Sequence, residues 1–334
     1  MTGSAESPPG GGLDGMEPLL SVAIPTRDRP VMLERAIRSV LVACRGLADA
    51  VEFAVSDGSA TEETSHVVSR LLGPWPGGYR YVRNEPALSL PENINRVIGL
   101  TTAPWVLQLH DDDFLLPRAG RVIAETIAQL DPRERVLLFG VDIVDEHGVR
   151  RRTQSFRREE RLEPQVALHR LLSRSSFVRQ PAIVVHRSAF AAEGMYDTTI
   201  GGSCDTEMYV RLFARFGVRC IPQTTCAYTV HAGAATAGMW NAQTIRCVDE
   251  IFDRAVARHL VPDRSVRRWE AAFVNQFILA GAYRSLRMRK RGEANQVLRL
   301  FNLPEVRRLG VSPKWLPVRL AFEAISLGAR SSAP

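Results

Sequence analysis

The chain has 334 residues, 45% hydrophobic and 24% charged, which excludes a disordered or fibrous protein and allows a sizeable core. Its net charge of +7 is almost wholly arginine, since Lys290 and Lys314 are the only lysines. That excess suits anionic ligands or an anionic membrane surface and equally fits a biased gene composition; aromatics at 7%, not interleaved with the arginines, argue against a nucleic-acid-binding protein.

The five cysteines, Cys44, Cys204, Cys220, Cys226 and Cys247, are odd in number and lack metal-site spacing, so neither a disulfide framework nor a zinc site is expected. No apolar run approaches the roughly 18 residues of a membrane span. The N-terminus lacks the basic-then-apolar layout of a secretory signal. A reduced, cytoplasmic protein is the simplest reading.

Residues 1–17 are rich in Gly, Ser and Pro and read as a disordered tail. Leu19 to Ile24 is a continuous apolar run, suited to a strand buried on both faces. After Pro30, Leu33, Ile37, Val40, Leu41 and Cys44 recur at helical spacing. Val51 to Val55 is a second strand, Glu62 to Leu72 a helix, and Tyr79 to Val82 a third strand. Ser89-Leu90-Pro91-Glu92 has the form of a capping box and starts the next helix. Trp105 to Leu109 is the fourth strand and runs into His110-Asp111-Asp112-Asp113.

Pro117 to Leu130 reads as a helix and Val136 to Val144 as a fifth strand. The arginine-dense stretch Arg150 to Arg161 reads as a mobile surface loop, or one that folds over an anionic ligand. Thr206 to Phe216 is helical and Thr225 to Val230 extended; beyond Gly238 the chain turns helical. The basic helices around Arg284 to Arg291 and Val318 to Leu327 suit either a membrane surface or a homodimer interface.

Alternating strands and helices imply an α/β fold with a mostly parallel sheet, whose ligands bind beyond the strands' carboxyl ends. Three polar clusters fall there: Thr26-Arg27-Asp28, Ser56-Asp57-Gly58-Ser59 and Asp111-Asp112-Asp113. Neither a glycine-rich dinucleotide turn nor a phosphate loop ending in Gly-Lys-Ser/Thr is present. Adjacent carboxylates repel unless a cation compensates, and a hard divalent ion such as Mn²⁺ or Mg²⁺ bridging to ligand phosphates is the natural partner. A solvated acidic turn is the alternative. A nucleotidyltransferase is disfavoured for want of a glycine-rich, lysine-bearing triphosphate loop; a silent sugar-nucleotide-binding protein stays open.

From about Leu19 to Thr236 the chain resembles the family 2 glycosyltransferases, which are inverting enzymes of GT-A fold. The resemblance rests on Ser21-Val22-Ala23-Ile24-Pro25-Thr26, Asp57-Gly58-Ser59, Asn95 and His110-Asp111-Asp112-Asp113, with His110 where the family usually has Asp. It implies a nucleotide-diphosphate sugar donor and a hydroxyl-bearing acceptor, such as a saccharide, a lipid-linked sugar or a natural product. Pro25, Thr26 and Arg27 would then adjoin the base, Asp57 would accept a pyrimidine N–H (favouring UDP or dTDP), and Asn95 and Asp111 would complete the nucleotide site. Asp112 would ligate the metal. Gly201 to Glu207 resembles the family's acidic segment and puts the catalytic base on Asp205, with Cys204 where Glu is frequent; Tyr228-Thr229-Val230-His231 resembles its closing segment and offers His231 to the metal or diphosphate. Asp57 also reads as a turn residue and Asp205 as a helix cap. The expected organisation is a donor half at 18–116, an acceptor half at 117–236 and a helical region at 237–334.

Overall fold

The computed structural model describes residues 17–327 except 232, 234–237 and 312. The expected N-terminal tail therefore lies, but for Glu17, outside the described residues. The chain divides into two compact units, Met1–Pro164 with Val178–Ala234, and Gln165–Phe177 with Ala235–Pro334.

The first unit is an α/β layer structure. Strand β1 (Leu20–Thr26) is buried along its whole length, as its apolar run requires, and helix α1 (Pro30–Ala43) follows with Leu33, Ala36, Ile37 and Val40 on its core face. Strand β2 (Val51–Asp57), helix α2 (Glu63–Leu72), strand β3 (Tyr79–Arg83), helix α3 (Leu90–Gly99) and strand β4 (Trp105–Gln108) continue the alternation. The capping box at α3 forms: the Glu92 carboxylate accepts the Ser89 N–H at 2.9 Å. These four strands lie parallel in the order β3-β2-β1-β4, so Asp57, Thr26 and the run after Gln108 emerge on one rim.

The rest of the sheet is more mixed than strand–helix alternation implies. Short β5 (Phe114–Leu115) precedes α4 (Ala119–Ala128) and β6 (Val136–Asp145). Arg150 to Arg161 is not the mobile loop its composition suggests. It supplies β7 (Arg150–Gln154), antiparallel to β6, and β8 (Glu160–Leu162), antiparallel to a later strand. Strand pairing here is carried by the backbone, while Arg150, Arg151 and Arg152 stay exposed, so no apolar face marks it in the sequence. Charged side chains on such an edge also discourage pairing with another chain.

Helix α5 (Pro164–Leu172) leads into the second unit and the chain then returns with β9 (Ile183–His186), which runs antiparallel between β4 and β6. Helices α6 (Arg187–Glu193) and α7 (Cys204–Phe216) precede β10 (Val218–Val230), which pairs parallel with β6 and antiparallel with β5 and β8. Two register shifts between Ile221 and Cys226 bend β10 around Pro222. Gly217, with φ +67°, makes the turn into this strand, and a Cβ there would meet the Leu162 carbonyl oxygen.

The second unit is helical: α8 (Ala242–Ala257), α9 (Asp263–Arg287), α10 (Arg291–Leu298), α11 (Pro304–Arg307) and α12 (Leu316–Leu327). Asn241 caps α8 by accepting the Thr244 N–H at 2.9 Å. Phe252 and Phe273 meet edge to face at 6.0 Å. Trp240 donates to the Phe277 carbonyl at 3.0 Å and lies so close to Gly281 that any Cβ there would strike the indole. All five cysteines are free thiols. Among the described residues no helix is long and apolar enough to cross a membrane.

One buried charge ties the parallel strands together. Glu52 of β2 accepts hydrogen bonds from Ser21 Oγ on β1 and from Thr102 and Ala103 ahead of β4, and pairs with Arg80 of β3 at 2.7 Å. Burial alone would push its carboxyl up, but the bonds from Ser21, Thr102 and Ala103 hold it below the ordinary glutamate range. A depressed folded-state pKa gives stability that is full above the unfolded value of about 4.3 and is lost as pH falls through the folded value. Glu52→Gln is expected to cost about 3 kcal/mol at pH 7. Urea unfolding of wild type and variant should converge as the pH is taken below 4; a constant gap would contradict this account.

Candidate active site

The site forms where β4 ends between β1 and β10. Gln108 closes β4, and the chain then turns through His110, Asp111, Asp112 and Asp113 into β5. Asp111, Asp112 and Asp113 are 5%, 9% and 1% exposed. Three carboxylates this close and this buried repel strongly; two unit charges 4 Å apart at an effective dielectric of 20 interact by about 4 kcal/mol.

Neighbouring elements answer that repulsion. Thr26 at the end of β1 donates to Asp111 Oδ2 at 2.8 Å. Arg29, the N-cap of α1, sets Nη1 at 3.3 Å from both Asp111 Oδ1 and Asp112 Oδ2. His231, just past β10, places Nε2 at 3.0 Å from Asp112 Oδ2. The Thr229 N–H donates to Asp113 Oδ1 at 2.8 Å, and Arg35 bonds the Asp112 carbonyl and Thr229 Oγ1 while lying over the Phe114 ring. Compensation is incomplete. Burial, then the Asp112 charge, push the Asp111 carboxyl above its ordinary range against the pull of Arg29 and Thr26. The same two causes push Asp113 well above it, and Asp113 Oδ2 is buried without a hydrogen-bond partner.

An orphaned carboxylate oxygen beside two strained neighbours is what a divalent cation would satisfy. Ligand atoms of His110, Asp112 and Asp113 lie within 4.8 Å of one another. Ligands at about 2.1 Å from one ion stand at most about 4.2 Å apart, so the group fits after shifts of several tenths of an ångström. The carboxylates suit Mg²⁺ or Mn²⁺, and an imidazole beside them favours Mn²⁺ of the two. Asp112 thus faces two candidate co-ligand sets: His231 on one side, His110 with Asp113 on the other.

The other expected residues fall around this centre. Pro25 is buried in β1 and Arg27 projects into solvent, its side chain 62% exposed. Asp57, fully buried at the end of β2, accepts the Ser59 N–H at 2.7 Å and the Tyr81 hydroxyl at 2.8 Å. A web of Ser56, Asn84 and Asn93 underlies this corner, and Asn93 reaches across to the Thr26 carbonyl. Asn95 is engaged differently: Nδ2 donates to the Tyr196 carbonyl and Oδ1 accepts the Tyr196 N–H, both at 2.8 Å. It clamps the loop before α7.

Asp205 sits in the first turn of α7, partly buried, with Oδ1 accepting the Thr206 N–H at 2.6 Å. Burial raises its pKa; the Thr206 bond and the nearby His110 oppose the rise. His110 therefore links the acidic run to Asp205, and its ring is held by Gln108, whose Oε1 accepts the buried Tyr196 hydroxyl at 2.9 Å. Arg211 locks this side: it pairs with Glu207 at 2.8 Å and donates to the carbonyls of Glu193, Gly194 and Met195. Cys204 is buried and its thiol is pushed up by burial, the environment of an unreactive structural cysteine.

The model of Glycosyl transferase family 2 matches residues 21–192, just over half of the chain. The chain belongs to that family. It is a glycosyltransferase of GT-A fold, with a central sheet flanked by helices and a helical C-terminal region. A Mycobacterium tuberculosis (strain CDC 1551 / Oshkosh) protein, uncharacterized protein MT1568, is 26% identical over 217 residues; these are 62% of the transferase and 65% of that protein. Among solved structures, S. aureus TarS 1–349 superposes with TM-score 0.63 at 13% identity, covering 92% of this chain and 91% of that one. The mannosyltransferase PcManGT from Pyrobaculum calidifontis, solved with GDP-Man and Mn²⁺, superposes with TM-score 0.55 at 16% identity, covering 94% and 88%.

Sequence reasoning did not single out Arg29, Arg35, Gln108, Tyr196 or Thr229. Thr229 lies in the segment that ends at His231 but drew no role of its own, and the contacts of all five become visible only when separated segments are folded together. Asn95 is a direct test of that assembly. Asn95→Ala leaves both backbone groups of Tyr196 unmatched and should cost about 1–3 kcal/mol. Amide exchange at Tyr196 should quicken in the variant, and unaltered protection would show that the clamp does not hold the loop.

Proposed function

We propose that this glycosyltransferase moves a sugar from a UDP- or dTDP-sugar to an acceptor hydroxyl with inversion, in the assembly of a polysaccharide or a secondary metabolite. The observation that carries this reading is the buried acidic run at the mouth of β4, converged on by Thr26, Arg29 and His231 within a family 2 fold. S. aureus TarS 1–349 has been solved with UDP-GlcNAc and PcManGT with GDP-Man and Mn²⁺, which supports a nucleotide-sugar donor here.

In this reading the base lies over β1 and β2. Asp57, oriented by Ser59 and Tyr81, is the acceptor that a pyrimidine N–H would meet once the corner opens to the donor. Pro25, Thr26 and Arg27 border the base, and Asp111 takes the ribose region. Asn95 serves by fixing the Tyr196 loop. A divalent ion, Mn²⁺ or Mg²⁺, held by Asp112 with His231 or with His110 and Asp113, supplies positive charge toward the donor diphosphate. Asp205 accepts the proton of the acceptor hydroxyl as the glycosidic bond forms, and its desolvated site raises its basicity for that role. The exposed arginines of β7 would suit an anionic acceptor, and exposed Leu316, Leu320 and Ile325 of α12 would suit a peripheral contact at the cytoplasmic membrane face or with a second copy.

Asp205→Asn should lower kcat by about 10²- to 10⁴-fold while donor affinity persists. Because the Asp205 pKa lies above the ordinary carboxylate value, wild-type kcat should climb with pH through that raised value. A flat acid limb, or full activity in the variant, would remove Asp205 from the mechanism. In thermal-shift measurements, UDP- or dTDP-sugars with Mn²⁺ should stabilise the protein more than GDP-sugars, and Asp112→Asn should erase the metal-dependent part. Equal stabilisation by every nucleotide in chelator would count against the donor and metal assignments.

A further inference from the structure

The acidic run already holds a cation of the protein's own. Arg29 Nη1 bridges Asp111 Oδ1 and Asp112 Oδ2, and its Nη2 donates to the Gly233 carbonyl at 2.5 Å. The backbone at this point is set firmly. Asp28 adopts φ +54°, a left-handed conformation that Asp tolerates, held by its N–H to Ser59 Oγ at 2.7 Å and its Oδ1 to the Ala60 N–H at 2.8 Å. Pro30 then opens α1.

We infer that Arg29 is an internal counter-ion, seated on Asp111 and Asp112 in the metal-free enzyme, whose displacement sets how tightly a divalent cation binds. This rests on the reading of Asp112 as a metal ligand. Three features carry it. The two 3.3 Å contacts are longer than the roughly 2.7–2.9 Å of a strong charge-assisted bond, so the guanidinium grips the carboxylates loosely, its short bond going to the Gly233 carbonyl instead. Asp112 Oδ2 is already shared with His231, and an ion about 2.1 Å from that oxygen would stand inside the arginine's contact and repel it. The Arg29 side chain is 30% exposed and so has a path to solvent. Arg35 differs: bound to the Asp112 carbonyl and Thr229 and lying over Phe114, it keeps its charge in place.

The consequence is a coupling between metal and donor. A cation arriving alone must displace Arg29 without compensation for the expelled charge. Arriving with a diphosphate, it brings anionic oxygens to which the displaced guanidinium can turn. Metal affinity should therefore be weak in the free enzyme and rise with nucleotide.

The test is Mn²⁺ binding followed by electron paramagnetic resonance, with and without UDP, in wild type, Arg29→Met, Arg29→Lys and Asp112→Asn. Without UDP, Arg29→Met should bind Mn²⁺ at least about tenfold tighter than wild type, since one repelling charge is gone. UDP should enhance that variant's affinity less than it does the wild type's. Arg29→Lys, which keeps the charge, should stay within about threefold of wild type. In chelator, Arg29→Met should melt below wild type and regain more on adding Mn²⁺, a pairing that mere loss of packing would not produce. Arg29→Gln carries the same test should the methionine variant misfold. Unchanged or weaker Mn²⁺ binding in the neutral variants, with Asp112→Asn abolishing it, would overturn the inference and leave the metal site standing. Unchanged binding in Asp112→Asn would overturn the metal assignment and the inference with it.

Discussion

Mutual repulsion among Asp111, Asp112 and Asp113 governs the architecture around the end of β4. A strand buried on both faces delivers the three carboxyls into a region with little water, where each charge is costly and their proximity multiplies the cost. Thr26, Arg29 and Arg35 from one stretch of chain and Thr229 and His231 from another, about 200 residues on, offset it. They leave Asp113 Oδ2 unsatisfied. A site that compensates its own charge this far and no further leaves a need that a cation would meet, and the proposed transfer of a sugar from a diphosphate rests on that residual need.

The sheet makes this possible through its departures from regular alternation. Had all strands run parallel, the acidic run would face only β1. Antiparallel β9 joins the β1–β4 block to β6, and β10, parallel to β6 but antiparallel to β5, returns Thr229 and His231 to the acidic run. The bend at Pro222 lets one long strand pair with both β8 and β5. On the opposite flank, the buried Arg211–Glu207 pair and the Asn95 clamp hold the segment around Tyr196. Through Gln108 and His110, that segment reaches the same carboxylates that β10 approaches from the other side.

Parts of the chain were readable for definite reasons. Strands β1 to β4 are short apolar runs cut by turn residues, and α1 and α3 carry helical periodicity with proline near their starts; these signals are local. Asp57, Thr26 and the acidic run could be placed on one rim because parallel strands put their carboxyl ends together. The arginine-rich stretch misled, since edge strands are held by backbone bonds that leave no trace in side-chain pattern, and composition alone reads such a stretch as a loop. Strand β9 is four residues long and had no pattern of its own to distinguish it.

The amino-acid sequence by itself determined the α/β class, the order of its first four strands and helices, and the polar clusters that end those strands, because propensity, periodicity and turn chemistry act over a few residues. Only the tertiary structure decided which groups meet: Arg29 on two aspartates, His231 on Asp112 across 119 positions, Asn95 on the Tyr196 backbone. Those contacts depend on strand order and direction over long separations, and no local pattern records them.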